Sequence, residues 1–423
     1  MGTRLAAPAI RICDTPAMSR PLRVFISDLH LTDELDNPRV AWEEQFARFW
    51  ARIDAARGEG PAELVLVGDF VDLIRSPRWL MTEHRPYHSP SPEMLAVVDA
   101  IVDGTIIRNK AFFAMIRGHV QAERLKIHHI LGNHDRLLAH APAARQRLWL
   151  ALTGETSPPD AQTEKVFADH NVLAYHGHAA DLFSHTEGGG PALCDAIALE
   201  LVVRFPMLLR DRIEIEDPHL YDIDDVRPIY AVPSWIRHLG SYRKGLVKPL
   251  TETWKQLVEE FLAIDFVKDW IKDQRKVGGM DPGRQLKLML QLSTGRIMAT
   301  TQDKRLTKLY TYFQHALDGQ FSRAAAARLQ SDEYKGLRYV VNGHSHFASM
   351  VPLGRLDAGP ACYFNTGTWR TVHQMGHTLR GRPAFIPVEA MSYVAFFGEN
   401  DDLGRDFEWW TGAMVARDSH MHG

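Results

Sequence analysis

The sequence predicts an α/β sandwich built on a mixed sheet. Short apolar runs alternate with helical stretches in the first half, and strand-like runs crowd the C-terminal end. Between them lies a long segment with helical periodicity.

"LRVFIS" (22–27) is a β-rich apolar run that ends abruptly at Asp28. "VAWEEQFARFWARIDAAR" (40–57) places Trp42, Phe46, Phe49, Trp50 and Ile53 at helical spacing. "ELVLVGDF" (63–70) is a second buried strand ended by Gly-Asp. "SPEMLAVVDAIVDGTIIRNKAFFAMI" (91–116) reads as largely helical, with Ser91 and Pro92 placed to start it. "LKIHHILGNHD" (125–135), "NVLAYHGHAAD" (171–181) and "LRYVVNGHSH" (337–346) supply a third, fourth and fifth strand. "CYFNTGTW" (362–369), "AFIPV" (384–388) and "MSYVAFF" (391–397) read as further strands. "TEGGGP" (186–191) is the clearest joint, and "KVGGMDPG" (276–283) a break in the region after it.

At 423 residues the chain is long for one domain, so a core domain with a large insertion is expected. The hydrophobic fraction of 45% and charged fraction of 24% are those of a soluble globular protein. A net charge of -3 gives no global argument for nucleic acid or membrane binding. Cys13, Cys194 and Cys362 are odd in number and far apart, which excludes a disulfide framework and fits a reducing, cytoplasmic setting. No apolar run reaches the roughly 18 residues of a membrane helix. The opening "MGTRLAAPAIRICDTPAMSR" lacks the apolar stretch of a secretory signal, and residues 1–21 are expected to be a flexible tail.

Five predicted strand ends carry the chemistry: "SDLHL" (27–31), "GDFVD" (68–72), "GNHD" (132–135), "HGH" (176–178) and "GHSH" (343–346). In α/β sheets ligand groups gather at the carboxyl ends of strands, because the loops there converge on one crevice. Each of these ends delivers Asp, Asn or His, donors suited to a borderline-to-hard divalent cation. No cysteine accompanies them, which excludes a structural thiolate zinc site.

In order and spelling these motifs resemble the calcineurin-like metallophosphoesterases, binuclear metal phosphatases and phosphodiesterases. The pattern D-x-H, G-D-x-x-D, G-N-H-[DE], a His beside Gly, and G-H-x-H is matched by Asp28/His30, Gly68/Asp69/Asp72, Gly132/Asn133/His134/Asp135, His176 and Gly343/His344/His346. "NTGTW" (365–369) is similar to the family's closing strand, and the resemblance covers about 22–184 and 336–398. It implies an αββα sandwich with mixed β-sheets and two divalent metal ions (Mn, Fe or Zn, with Mn favoured). It also implies hydrolysis of a phosphate mono- or diester by a metal-bridging hydroxide. Asp28, His30, Asp69 and His346 would hold one ion; Asp69, Asn133, His176 and His344 would hold the other. A shared carboxylate suits two cations roughly 3.5–4 Å apart. His134 would be a catalyst rather than a ligand, protonating or stabilising the leaving oxygen with its ring oriented by Asp135. Asp72 would support a ligand or loop. His178 would lie near the substrate, or else form a loop-capping pair with Asp181.

The chain departs from the common pattern between the fourth and fifth motifs. His176 and His344 lie 168 positions apart, far beyond an ordinary connection. The interval includes "LTETWKQLVEEFLAIDFVKDWIKD" (250–273), with an apolar stripe of Trp254, Leu257, Phe261, Ile264, Phe266 and Trp270. That stripe is read first as packing among the insertion's own helices. The expected organisation is a core at 22–185 and 336–423 interrupted by a helical cap at 186–335. "DRIEIEDPHLYDIDD" (211–225) is acidic, whereas residues 227–308 hold 16 Lys or Arg against 8 Asp or Glu. A solvated face is the ordinary reading of such a run. Beside a phosphate site it also suits a polyanionic substrate.

Several substrates fit this site. "FISDLHL" with a helical insertion is similar to the UDP-diacylglucosamine pyrophosphohydrolases, but "GNHD" and "HGH" depart from the "GNRD" and "HGD" of that group. Nucleotide pyrophosphohydrolase and nuclease-type phosphodiesterase activities are the alternatives, although no aromatic-interleaved basic groove supports nucleic acid. A non-catalytic metal-binding scaffold is the alternative of another class. It has no need of His134.

Overall fold

The structure, a computed structural model, describes residues 20–33, 42–58, 60–186, 190–213, 218–227, 229–242, 244–273, 281–294, 319–377, 383–399, 401 and 403–415. Cys13, residues 1–19 of the expected tail, and much of the two glycine-rich breaks lie outside the described residues.

Period-two alternation explains why two sheets stack. In β1 (Arg23–Ile26), Val24 and Ile26 join one apolar cluster and Phe25 another. In β2 (Ala62–Val67), Leu64 and Leu66 oppose Val65 and Val67 in the same way. With β3 (Leu125–Ile130) these strands form the parallel trio β3-β2-β1. Their inward side chains, Phe25, Val65, Val67 and Ile130, meet Val172, Ala174, Tyr339, Val341 and Phe364 of a second sheet. Phe25 is fully buried there, and truncating such a ring to Ala costs about 3–5 kcal/mol.

The second sheet has β5 (Val172–Tyr175), β7 (Tyr339–Asn342) and β9 (Gly359–Asn365) in parallel. β4 (Glu164–Phe167) and β8 (Ser349–Leu356) lie antiparallel at its edges. The first sheet continues from β1 through β11 (Pro383–Phe396) and β10 (Thr371–His377) to the two-residue β6 (Val226–Arg227). A final strand, β12 (Phe407–Val415), also pairs with β11. Helices α1 (Trp42–Ala56), α2 (Pro92–Arg108), α3 (Lys110–Gln121) and α4 (Pro142–Thr153) cover the outer face of the first sheet. Two mixed sheets with helices outside them are the expected sandwich.

Three elements differ from expectation for local reasons. "AFIPV" and "MSYVAFF" form the single strand β11, since no turn residue separates them; only a register shift at Glu389/Ala390 marks the join. The helix expected over 91–116 starts as predicted, with Ser91 Oγ accepting from Met94 N at 3.2 Å, but breaks at Asn109. The Asn109 amide there donates to the carbonyls of Thr105 (2.8 Å) and Thr32 (3.1 Å), the local competition that makes Asn a poor helix-interior residue. The stripe at 250–273 becomes α8 (Val247–Ala263) and α9 (Asp265–Asp273), because Ile264 takes an extended backbone with ψ 129°.

Residues 186–335 also hold α5 (Leu193–Ala196), a π-helical stretch (Ile197–Val203), α6 (Arg204–Arg210), α7 (Val232–Tyr242), α10 (Pro282–Ser293) and α11 (Gln320–Leu329). The buried side chains of α5 to α10 continue the apolar cluster of the first sheet, whereas α11 packs Ala325 and Leu329 on the second. The aromatic stripe divides accordingly. Trp254 packs among insertion helices and donates to Ser293 Oγ at 2.8 Å. Phe266 stacks on Tyr87 with ring centres 5.4 Å apart, and Trp270 lies 6.0 Å from Phe183.

Candidate metal centre

All five motif loops leave carboxyl ends of parallel strands: β1, β2 and β3 in one sheet, β5 and β7 in the other. Backbone bonds bind the loops together. Asp28 N donates to Gly68 O at 3.1 Å, His30 N to Asp69 O at 2.9 Å, and Gly343 N to His176 O at 2.9 Å. The two sheets thus bring residues 316 positions apart to one point.

Two clusters of ligand-type atoms result. Those of Asp28, His30 and His346 lie within 4.8 Å of one another, as do those of Asp69, His176 and His344. In the first, His30 Nε2 stands 3.0 Å from His346 Nε2, and His346 Nε2 stands 3.3 Å from Asp28 Oδ1. In the second, His176 Nε2 stands 3.0 Å from Asp69 Oδ2, and His344 Nδ1 stands 3.0 Å from Asn133 Oδ1. Asp69 Oδ2 also lies 3.6 Å from His30 Nε2, so one carboxylate faces both clusters. Buried Asp28 Oδ1 and His176 Nε2 have no hydrogen-bond partner. Orphaned buried acceptors and imidazoles cost free energy unless something else satisfies them, and two divalent cations fit this donor set.

The backbone is strained to make this arrangement. Asp28, His30, Asp69, His344 and His346 all have positive φ, between 45° and 70°; among the described non-glycine residues only Glu123 and Asn171 share that region. Such conformations cost of order 1–3 kcal/mol each and concentrate at functional sites. Glycines of three motifs admit the close approach. A Cβ on Gly68 would meet the His176 ring, one on Gly132 the Asp69 carboxylate, and one on Gly343 the Asp28 carboxylate.

Electrostatics follow the same plan. Burial alone would raise the Asp28 and Asp69 carboxyls, but the charge of His176 with help from neighbouring histidines holds both well below the usual range. Burial would depress His176; Asp69 and Asp28 outweigh it and push the imidazole up to about 10. A proton there offsets one of the two buried carboxylate charges, part of the work a cation would do. His346 is held well below its ordinary value by burial and then by Arg227.

His134 is a member of neither of these two clusters, although its ring centre lies 4.7 Å from that of His30. Its backbone N–H donates to Asp69 Oδ1 at 2.8 Å, and its Nδ1 faces Asp72 Oδ1 at 2.8 Å. The expected pairing with Asp135 is therefore corrected. Asp135 instead accepts from the Phe70 backbone at 3.0 Å, from the Gly132 backbone at 2.5 Å and from His129 Nε2 at 3.1 Å. The adjacent carboxylate is consumed in closing its own loop, and the one reached through space takes the ring. Asp72 Oδ2 also faces His30 Nδ1 at 2.9 Å, so Asp72 contacts both a ligand candidate and the lone histidine. His30, Asp72 and His134 are close enough to suggest a third cation site, but Asp72 already meets Arg75 Nε at 2.5 Å and Arg75 N at 2.9 Å. It is saturated. Burial dominates His134 from one side, and Asp72 and Asp69 outweigh it to raise its pKa.

His178 lies beside the second cluster, its ring 5.6 Å from His176 and its buried Nδ1 without a partner. Burial first, then His176 and His344, push it down to about 3. Asp181 does cap the short turn that starts at His178, its backbone N–H donating to His178 O at 3.0 Å, while its side-chain Oδ2 faces His344 Nε2 at 2.8 Å. Sequence reasoning missed that partnership, and also Arg75, Asp224 and Arg370. Arg75 follows Asp72 by three positions, a usable signal. Asp224 offers none.

Residues 23–193 match the family model for calcineurin-like phosphoesterases, and the chain carries a domain of the calcineurin-like metallophosphoesterase superfamily. No curated protein matches the chain. His344 and His346 lie beyond the matched residues and reach the centre through β7, paired between β5 and β9. Among the described residues no helix is long and apolar enough to cross a membrane.

Proposed function

We propose that the chain hydrolyses a phosphate mono- or diester at a binuclear metal centre. Asp28, His30, Asp69 and His346 would hold one cation, and Asp69, Asn133, His176 and His344 the other, with manganese favoured by resemblance. When bound, two divalent cations supply Lewis-acid polarisation of water and of the phosphoryl group. Asp69 sits between the clusters and keeps them in one unit. His134, its Nδ1 held by Asp72, would use its other ring nitrogen to deliver a proton to the leaving oxygen. Strained Asp and His backbones fix donor directions before substrate arrives, so little reorganisation is left for the reaction.

The observation that carries this reading is the division of labour among histidines. His30, His176, His344 and His346 contribute to the two clusters, while His134 belongs to neither and is oriented by Asp72, a carboxylate outside both that also meets His30 Nδ1. A binding scaffold has no use for that last arrangement. The test is metal analysis of purified protein with a panel of chromogenic mono- and diesters. Absence of bound transition metal together with absence of metal-stimulated hydrolysis would remove the reading.

Residues 186–335 are proposed to act as a helical cap that sets substrate. Phe321 of α11 lies 5.8 Å from the His344 ring, and Cys194 Sγ of α5 lies 3.9 Å from Asn133 Nδ2, which supports a cap at the rim. Its basic middle suits an anionic substrate. Few, scattered cysteines suit a cytoplasmic setting.

A further inference from the structure

A buried chain of alternating charges runs from the insertion to the lone histidine. Asp72 faces His134 Nδ1 and His30 Nδ1. Arg75 donates from Nε to Asp72 Oδ2 and from Nη1 to Asp224 Oδ1, each at 2.5 Å, and also from Nη1 to Asp224 O at 3.1 Å. Arg370 donates from Nη2 to Asp224 Oδ2 at 2.8 Å and reaches Asp225 Oδ1 at 2.9 Å. Exposure is 0% at Asp72, 3% at Arg75, 8% at Asp224, 2% at Asp225 and 9% at Arg370. These are not solvated charges.

The acidic stretch of the insertion is the source of Asp224 and Asp225. They close a 3₁₀ segment (Pro218–Asp225) that runs straight into β6, and β6 pairs in parallel with β10 through Val226↔His373 and Arg227↔Gln374. Arg370 stands one residue before β10, so the same sheet register that adds β6 also sets Asp224 against Arg370 and Arg75. The insertion is locked to the core at this point by strand pairing and by charge.

We propose that Asp224, acting through Arg75, is a positioning residue for the reaction: it fixes the Asp72 carboxylate that orients His134 and His30. This rests on the metal-dependent reading of the same centre. The physical reason is competition. Asp72 has two oxygens and must serve His134, His30 and the Arg75 side chain. Asp224 draws one arm of the guanidinium away and shares its charge, so Arg75 bridges two carboxylates instead of collapsing on one. Buried charges behave this way only while every partner is present; removing one partner strongly perturbs the rest.

The test compares wild type with Asp224→Asn and with the double variant Arg75→Met/Asp224→Leu. The double variant removes the Arg75–Asp224 pair together, leaving Arg370 with Asp225 and Asp72 with its two histidines and the backbone amides of Ile74 and Arg75. Three quantities are read: metal affinity by titration of the metal-depleted protein with Mn, melting temperature of that form, and the ratio of turnover on a nitrophenyl phosphodiester to turnover on an alkyl phosphodiester. Positioning through Asp72 predicts Mn affinity lowered about tenfold, as for loss of partners that orient metal ligands. It also predicts an alkyl ester more severely affected than the nitrophenyl ester, since only the former needs His134 to protonate its leaving oxygen. A variant with a lowered melting temperature but wild-type Mn affinity and ester ratio would assign Asp224 to stability alone and overturn the proposal. If Asp224→Asn does not fold, the double variant decides by the same criteria. Failure of wild type to bind Mn or cleave either ester would instead strike the functional reading beneath it.

Discussion

The two ends of the β1–β2 pair bury the same kinds of side chain and treat them oppositely. At the amino end Glu63 accepts from Arg23 Nε (2.8 Å), lies 2.7 Å from Arg23 Nη2, and meets His128 Nε2 at 3.1 Å; Arg23 Nη1 in turn reaches Asp169 at 2.7 Å. Every charge there has a counter-charge, on backbone without positive φ. At the carboxyl end no arginine among the described residues meets Asp28 or Asp69, imidazoles crowd them at 3.0–3.9 Å, and five of the residues involved are strained. The difference separates a structural ion network from a binding centre. One closes on itself, whereas the other leaves buried acceptors unsatisfied and holds the backbone tense to keep them so.

The largest effect is expected where one carboxylate faces both clusters. Asp69→Ala should abolish metal occupancy and hydrolysis together, read by elemental analysis and turnover on an activated diester. Near-full turnover of that variant in chelator-treated, Mn-supplemented buffer would make the carboxyl end another closed network. A smaller effect is expected at His134. His134→Ala should cut turnover by about 10²–10⁴, the usual contribution of a positioned acid or base, with metal content unchanged. The loss should deepen as the leaving group worsens. Loss of one metal in that variant would make His134 a ligand.

Much of this centre was legible because its chemistry is local in sequence. Each motif sits within a few residues of an apolar run, and a strand's carboxyl end is the one place where the next residue must turn outward. The alternation in "LRVFIS" and "ELVLVGDF" was enough to orient both strands. What stayed hidden depends on pairing through space. Asp135 is adjacent to His134 in the chain, yet backbone amides consume it and Asp72 takes the ring. Asp224 lies 152 positions from Asp72 and meets it only through Arg75, because β6 pairs with β10. No periodicity announces a two-residue strand. β11 reads as two pieces in sequence because Glu389 and Ala390 separate the runs 384–388 and 391–397, although the backbone ladder passes through both with only a register shift there.

The smallest effect tests the closed network. Burial alone would raise the Glu63 carboxyl, but the hydrogen bond from His128 and the charge and hydrogen bond of Arg23 outweigh it and bring the pKa from 4.5 to about 2. A carboxyl whose pKa is depressed by folding contributes stability above its unfolded value and loses it as pH falls through its folded value. Here the contribution is full above about 5 and fades toward 2. Glu63 is 14% exposed in its side chain, and a shift of this size corresponds to about 3 kcal/mol or slightly more, which partial exposure and solvent screening reduce toward about 2. Glu63→Gln should therefore destabilise by about 2 kcal/mol at pH 7 and by much less at pH 3. Urea unfolding of both proteins at the two pH values, with chelator present so that metal release does not add to the acid limb, measures the difference. The gap should narrow as pH falls, while turnover at pH 7 and Mn affinity stay at wild-type values. A gap independent of pH would show that the Glu63 charge contributes nothing, and that the amino end is held by packing of the Arg23 stem on Phe167, whose ring centre lies 4.4 Å from the guanidinium carbon. A fall in Mn affinity would show that the two ends of the pair are coupled through β1 and β2, and that the contrast between them is one of degree.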